Sequence, residues 1–295
     1  MRVLVTGGTG FVGPKVVHAL RAAGHDVRCL VRDPRRARTL EAWGCELAVG
    51  DITDPASLDP AVAGADAVVH LVSIITGPPE QFERVMIGGT WNLVEAARAA
   101  GVRRFVLMSA LGVSEETKDL VPYYHGKWEM EQAVAGSDLE HVIFRPSFVF
   151  GKDGGVLPLF MRQVRWSPVV PVLGSGETRL QPIWVDDVAA YFTATVELDS
   201  AAGRTFELGG PDAVTWDELY ARIRKVLGVR RATVHLPFGL VRPAAAVAEL
   251  LPHSPITRDQ LTMLAAGDNV CDVGPALEAF GIEPVPLDEQ LRRAA

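Results

Sequence analysis

Tyr123 and Lys127 stand four residues apart behind a proline, in the segment PYYHGK. On a helix beginning near Pro122 that spacing puts a phenol and an ammonium on one face. A free phenol, with a pKa of about 10, is a poor base at neutral pH. A positive charge beside it favours phenolate and lowers that value, so the pair has the make-up of a proton-transfer site. Ser109 closes the apolar run FVLMS, where a hydroxyl at a strand end could bond the same reacting oxygen. Ser109, Tyr123 and Lys127 are therefore the candidate catalytic set, and the alternative is that Tyr123 only packs. Tyr124 and His125 fall at helix positions that point away from the Lys127 face.

A second chemistry-bearing segment opens the chain. TGGTGFVG follows a short apolar strand and sets Gly7, Gly10 and Gly13 in a GxxGxxG spacing at the start of a helix. The first glycine permits a tight turn, the second lets backbone approach a diphosphate, and the third lets helix pack on strand. Amide donors and the positive end of the helix dipole complete an anion cradle. A bare glycine triplet is weak; the strand, turn and helix around this one make it a dinucleotide-binding turn. The expected contacts there are Gly7, Thr9, Gly10, Phe11, Val12 and Gly13.

The end of the second strand, VRCLV, selects between two dinucleotides. Where an acidic side chain would bond the adenosine ribose, Val31 stands instead, with Arg32, Arg35 and Arg36 just after it. Guanidinium groups suit a 2′-phosphate, which favours NADP(H) over NAD(H) as the cofactor. Asp33, ahead of Pro34, reads as a helix N-cap and not as a ribose ligand.

These residues need a frame to hold them. Short β-branched runs alternate with helical stretches at residues 12–23, 34–43, 55–63, 80–100 and 122–135, and the rhythm ends at the strand HVIF. Strands separated by helices imply right-handed βαβ units. The expected fold is α/β, a Rossmann-type doubly wound parallel sheet with a smaller, interleaved C-terminal lobe. Residues 1–150 with about 178–209 would form the dinucleotide domain, and about 151–177 with 210–295 the smaller lobe. In the latter region RLQPIWV reads as a strand and residues 187–197 as a helix, with Asp186 and Asp187 as its cap. His70 reads as a core or pocket-wall residue, and no metal site is indicated.

Composition excludes several function classes. A chain of 295 residues carries 36 acidic and 29 basic side chains, a formal charge of -7, so it offers no basic footprint for nucleic acid. Cys29, Cys45 and Cys271 lack CxxC spacing, and no secretory pattern precedes the first strand, which together fit a reducing cytoplasm. The apolar stretch 237–251 is too short to span a bilayer and contains Arg242 and Glu249; it reads as a packed helix that could at most lie on a membrane or partner surface.

With these segments the sequence resembles the extended and atypical short-chain dehydrogenase/reductases, the NAD-dependent epimerase/dehydratase-like proteins. It is most similar to the branch holding the nucleotide-binding accessory subunit of mitochondrial complex I and its bacterial relatives. The likeness covers nearly the whole chain, through TGGTGFVG, LVRDP, GDITDP, MSALG, RPSFVFG, SPVVPVLGSGETRLQPIWVDDVA and TRDQL. It implies that Asp51 and Ile52 flank adenine, although Asp51 reads equally well as a strand-to-helix cap. It further implies that Leu71, Val72 and Ser73 line the ribose region, that Pro146, Ser147 and Phe148 pass beside nicotinamide, and that Lys127 also binds the nicotinamide ribose. Tyr123 would exchange a proton with substrate oxygen while hydride moves, and oxidised nicotinamide would help Lys127 favour the phenolate. The expected partner is a small molecule, such as a quinone or other carbonyl compound. Branch members hold NADPH as a structural ligand, so an accessory role, with peripheral membrane or respiratory-complex contact, stands beside catalysis.

Overall fold

The computed structural model describes residues 1–249 and 257–295, which fold as two compact units. The first comprises Met1–Pro146, Val185–Leu208 and Gly274–Glu283; the second comprises Ser147–Trp184, Gly209–Val273 and Pro284–Ala295.

The first unit is built on seven parallel strands. In chain order these are β1 (Arg2–Thr6), β2 (Asp26–Val31), β3 (Glu46–Val49), β4 (Ala67–His70), β5 (Arg104–Met108), β6 (Glu140–Pro146) and a last strand, Arg204–Leu208. Across the sheet the order is Arg204–Leu208, β6, β5, β4, β1, β2, β3. Helices on both faces bury most of these strands, which is why they read as unbroken apolar runs and not as alternating ones. β1 and β4 are neighbours, with Val5 opposite Val69 and Thr6 opposite His70. The chain leaves these two strands in opposite directions, so their C-terminal ends flank the crevice where doubly wound sheets bind ligands.

Several helices differ from the sequence expectation, each for a local reason. The stretch 34–43 divides into a 3-10 turn, Pro34–Arg36, and a helix, Arg38–Ala42, because Ala37 leaves helical geometry at φ -109° and ψ 12°. In 55–63 the ring of Pro60 can sit only in a first turn, and the chain forms a 3-10 turn, Pro55–Ser57, then a new helix, Asp59–Val62. The stretch 80–100 contains a π-turn, Phe82–Gly88, before the helix Gly89–Ala99. Asp186 and Asp187 lie within the first turn of the helix Val185–Thr195 and not ahead of it, at the positive end of its dipole; Asp186 also meets Lys15 at 3.4 Å.

Phe144 anchors one side of the sheet. Its ring, fully buried, meets those of Tyr191, Phe192, Phe206 and Phe280 at centroid distances of 4.9 to 6.1 Å. Phe280 lies on the helix Gly274–Phe280, and these contacts place that late segment in the first unit, where the sequence rhythm alone had assigned it to the smaller lobe. Arg104 is also fully buried, but its charge is met by Glu140 at 2.8 Å, Asp199 at 2.9 Å and the Thr195 carbonyl at 2.8 Å.

In the second unit the helices Leu157–Trp166 and Trp216–Leu227 pack together through Phe160, Trp216 and Tyr220. The latter helix starts with a reciprocal cap between Thr215 and Glu218 and ends at Gly228, in left-handed conformation at φ 64°. RLQPIWV is not one strand. Pro182 has no N–H to donate, so Arg179–Leu180 pairs with Val214–Thr215 and Ile183–Trp184 pairs separately with Val149–Phe150. Residues 178–184 therefore belong here, and the return to the first unit begins at Val185. The apolar stretch 237–251 forms the helix Phe238–Ala248, with Leu250 and Leu251 outside the described residues. Among the described residues no helix is long and apolar enough to cross a membrane.

Replacing Phe144 with alanine removes the ring that four others share. Phe144→Ala is expected to lower the unfolding free energy by about 3–5 kcal/mol, with an unchanged urea m-value. An effect below about 1 kcal/mol in urea titration would show that the cluster does not carry the sheet face.

Candidate functional site

The glycine turn is shaped by contacts that leave no room for side chains. Gly7 has φ 78°, and a Cβ placed on it would lie 2.9 Å from the Leu71 carbonyl carbon. A Cβ on Gly13 would lie 2.3 Å from the Gly7 oxygen, so the helix α1 (Gly13–Ala22) can start only because that position is bare. The Gly10 amide donates to the Gly7 oxygen at 3.0 Å and closes the turn. Thr9 and Gly10 are exposed, Phe11 is half-buried and Val12 is buried. No side chain caps α1, Pro14 in its first turn contributes no N–H, and the Lys15 amide turns back to the Val12 carbonyl at 3.1 Å. Bare backbone against backbone at a helix N-terminus fits a diphosphate.

At the end of β2, Val31 is buried and Arg32 is exposed. Arg35 is already engaged: its Nε and Nη2 grip Asp33 Oδ1 and Oδ2 at 2.9 and 3.0 Å. Asp33 caps the 3-10 turn by accepting from the Arg35 amide at 3.0 Å, and the Arg35 guanidinium holds its carboxyl below the ordinary range. Arg32 is thus the more available of the two expected phosphate contacts. Asp51 Oδ1 accepts from the amide and the hydroxyl of Thr53, both at 2.9 Å, as a turn-forming aspartate does. Ile52 is buried in the core, and the bare Gly89 gives its side chain room.

Leu71 and Val72 are half-buried where β4 ends, and their backbone forms the wall that Gly7 approaches. Lys127 is buried on the helix Pro122–Ala135, and its Nζ donates to the Met108 carbonyl at 2.6 Å. That bond sets the lysine beside Ser109, which follows β5. Ser109 is 1% exposed, and its Oγ has no partner among the described residues, an arrangement suited to meeting a ligand oxygen. Tyr123, half-buried, lies with its ring centroid 5.9 Å from Lys127 Nζ, while the exposed Ser73 offers its hydroxyl to the phenol. Pro146 ends β6 and accepts from the Leu111 amide at 2.9 Å. Ser147 and Phe148 belong to the second unit, where Ser147 Oγ donates to Asn269 Oδ1 at 2.6 Å and Phe148 packs edge-on against Trp216.

The electrostatics reverse one expectation. Tyr123 is raised, not lowered: burial disfavours its phenolate first, the neighbouring Tyr124 adds to this, and only the bond from Ser73 opposes them. Lys127 is drawn down to about 7, because burial penalises its ammonium more than Glu131 supports it. A lysine losing its own charge near neutral pH is a weak partner for a phenolate.

The sequence reads His70 as a core or pocket-wall residue without its partners, and it does not read the pair Glu131 and Arg145. His70, buried, takes a 2.6 Å bond between Nδ1 and the Thr6 hydroxyl and a 3.1 Å bond between Nε2 and the Thr90 hydroxyl. Thr90 gives its own proton to the Met86 carbonyl in the π-turn, so His70 carries hydrogen on Nε2 and Thr6 donates to Nδ1. Burial, with the Lys127 charge, pushes the imidazole down to about 3. Glu131 stands one turn beyond Lys127 and is clasped by Arg145 at 2.9 and 2.6 Å. Its spacing of four from Lys127 on one helix is the signal that could have found Glu131; no local signal marks Arg145, fourteen residues on.

A model of NAD(P)H-binding domains matches residues 7–161. The chain belongs to the NAD(P)H-binding family. It is 30% identical to the photosystem II assembly factor Ycf39 of Synechocystis sp., over 96% of this chain and 86% of that one. It is 35% identical to the ceramide reductase of Caulobacter vibrioides, over 84% and 77%. With the mitochondrial NADH dehydrogenase (ubiquinone) 1 alpha subcomplex subunit 9 of Rattus norvegicus it shares 28% identity, over 98% and 79%. These relatives place the chain among extended short-chain dehydrogenase/reductase-like proteins, near the complex I accessory branch.

The folded protein releases the Lys127 proton near pH 7, whereas an unperturbed lysine holds it to 10.5. Between those values the unfolded chain binds more protons, so this residue makes stability rise with pH across that window. Lys127→Met is expected to flatten the rise. Urea unfolding of both proteins at about pH 7 and about pH 10 checks this, and a slope unchanged in the variant would contradict it.

Proposed function

We propose that the protein is an NADP(H)-dependent oxidoreductase that reduces a carbonyl group of a small molecule, with a quinone or a ketone as the substrate class. The observation that carries this is the buried Ser109 hydroxyl, without a partner among the described residues, beside a Lys127 that shares its helix with Tyr123. Gly7, Thr9, Gly10, Phe11, Val12 and Gly13 would hold the diphosphate, Arg32 and Arg35 the 2′-phosphate, and Asp51 and Ile52 the adenine side. Leu71, Val72 and Ser73 would hold the ribose region, with Pro146, Ser147 and Phe148 toward nicotinamide. When bound, the dinucleotide supplies the hydride. Ser109 Oγ donates to the substrate oxygen and orients it. Tyr123, kept protonated at neutral pH by burial, gives its Oη proton to that oxygen as negative charge develops there. Lys127, buried against the Met108 carbonyl, binds the nicotinamide-ribose hydroxyls and restores the proton through them. With its pKa raised, the phenol is in the protonated form at neutral pH, the form that carbonyl reduction requires, whereas alcohol oxidation would need the phenolate that burial disfavours. The expected setting is the cytoplasm.

A second reading is favoured by the assembly factor and the complex I subunit among the relatives. In it the same cradle holds NADPH for stability while the protein docks on a respiratory complex or a membrane face.

Tyr123→Phe is expected to cut kcat for carbonyl reduction by about 100-fold or more while NADPH affinity, measured by fluorescence titration, stays within about two-fold. Wild-type turnover in this variant would remove Tyr123 from the mechanism, and a cofactor that copurifies, never exchanges and reduces no quinone, ketone or aldehyde would favour the second reading. Arg32→Ala is expected to weaken NADPH about ten-fold and leave NADH unchanged. Equal weakening of both dinucleotides would show that this guanidinium does not read the 2′-phosphate.

A further inference from the structure

We propose that one face of the second unit docks on an anionic phospholipid bilayer. The helix Leu157–Trp166 buries Leu157, Met161 and Val164 and turns Leu159, Arg162, Arg165 and Trp166 outward. Those four outward positions share one helical face. Trp166 is 76% exposed, the highest value among the large exposed apolar side chains of the described residues. Next comes the strand Val169–Leu173, which opens on an exposed Val169, and its parallel partner Ala232–Leu236 sets Ala232 opposite Val169. Arg231, just before that partner strand, donates from Nη2 to the Arg165 carbonyl at 3.2 Å. This bond ties the entry of the strand to the end of the helix and brings Arg230 and Arg231 to the side where Trp166 stands.

Charge decides the occupant. The chain is at -7 overall, yet neither residues 156–175 nor residues 219–235 contain an aspartate or a glutamate. Two other arginines of these stretches are engaged: Arg222 pairs with Asp212 and Asp288, and Arg224 bonds the Thr233 hydroxyl. Arg162, Arg165, Arg230 and Arg231 have no carboxylate within ion-pair distance among the described residues. A second copy seated on this face by a two-fold axis would bring like guanidinium groups together, which disfavours self-association. An indole with arginines beside it suits the boundary of an anionic bilayer, the ring at headgroup depth and the guanidinium forks on phosphates.

Co-flotation of the full-length protein with vesicles tests this without any turnover or dinucleotide, so its failure leaves the proposed chemistry standing, and the reverse also holds. Vesicles of phosphatidylcholine mixed with phosphatidylglycerol are expected to carry the protein at low salt, while phosphatidylcholine alone does not. Each of Arg162→Gln, Arg165→Gln and Arg230→Gln is expected to weaken partitioning about five-fold, and Trp166→Ser to weaken it at all salt concentrations, with unchanged thermal unfolding. Equal flotation with neutral vesicles, no flotation with either, or wild-type flotation by these variants would overturn the proposal. So would self-association in sedimentation that Trp166→Ser abolishes in the absence of lipid, or capture of an acidic polypeptide that outcompetes the anionic vesicles.

Discussion

Backbone meets backbone where β1 ends and β4 ends, and no side chain fits between them. With a Cβ at Gly7 only 2.9 Å from the Leu71 carbonyl carbon, the two strands converge on a turn that only glycine can make. The same turn has to clear the start of α1, where Gly13 faces the Gly7 oxygen. Strand order, crevice and cradle are therefore one constraint: the sheet divides between β1 and β4, and the bare turn lies on that division. Side chains farther along, from Leu71 to Lys127, take positions relative to a floor set by backbone alone.

On that floor, burial governs the acid–base character more than neighbouring charge does. The phenol of Tyr123 and the ammonium of Lys127 both shift toward their neutral forms, as desolvation demands of an acid and a cation alike. Glu131 cannot reverse this, since its carboxylate is already committed to Arg145. The outcome is a site that favours uncharged groups until something polar enters. A substrate oxygen would supply that polarity, and Ser109, with a hydroxyl lacking any other partner among the described residues, is placed to respond to it.

The first unit was legible in the sequence because its signals are local. Apolar runs marked β1 to β6, glycines closed the helices, and the turn of Gly7, Gly10 and Gly13 announced a strand giving way to a helix. Interruptions were harder to read, since Ala37 and the π-turn at Phe82–Gly88 break helices that composition would continue. The second unit resisted for a different reason: its strands are two residues long at Arg179–Leu180 and Ile183–Trp184, and their partners lie far away in the chain. At the site, spacing gave Tyr123 and Lys127, but the sign of their shifts depends on enclosure. No pattern of residue types states how deeply a side chain is enclosed. Likewise Asp33 reads as a cap from its place before Pro34, whereas its hold on Arg35 is visible only in three dimensions.

The bonds from Thr6 through His70 and Thr90 to Met86 run in one direction, since each hydroxyl and the ring have a single proton to give. One end is the last residue of the central strand and the other is the irregular turn of a helix that packs over it. The Nε2 hydrogen of His70 is thus shielded from exchange and held between two elements, a natural spectroscopic gauge. Its resonance in a nuclear magnetic resonance spectrum would register any change in the gap between strand and helix, in a place no dye could reach.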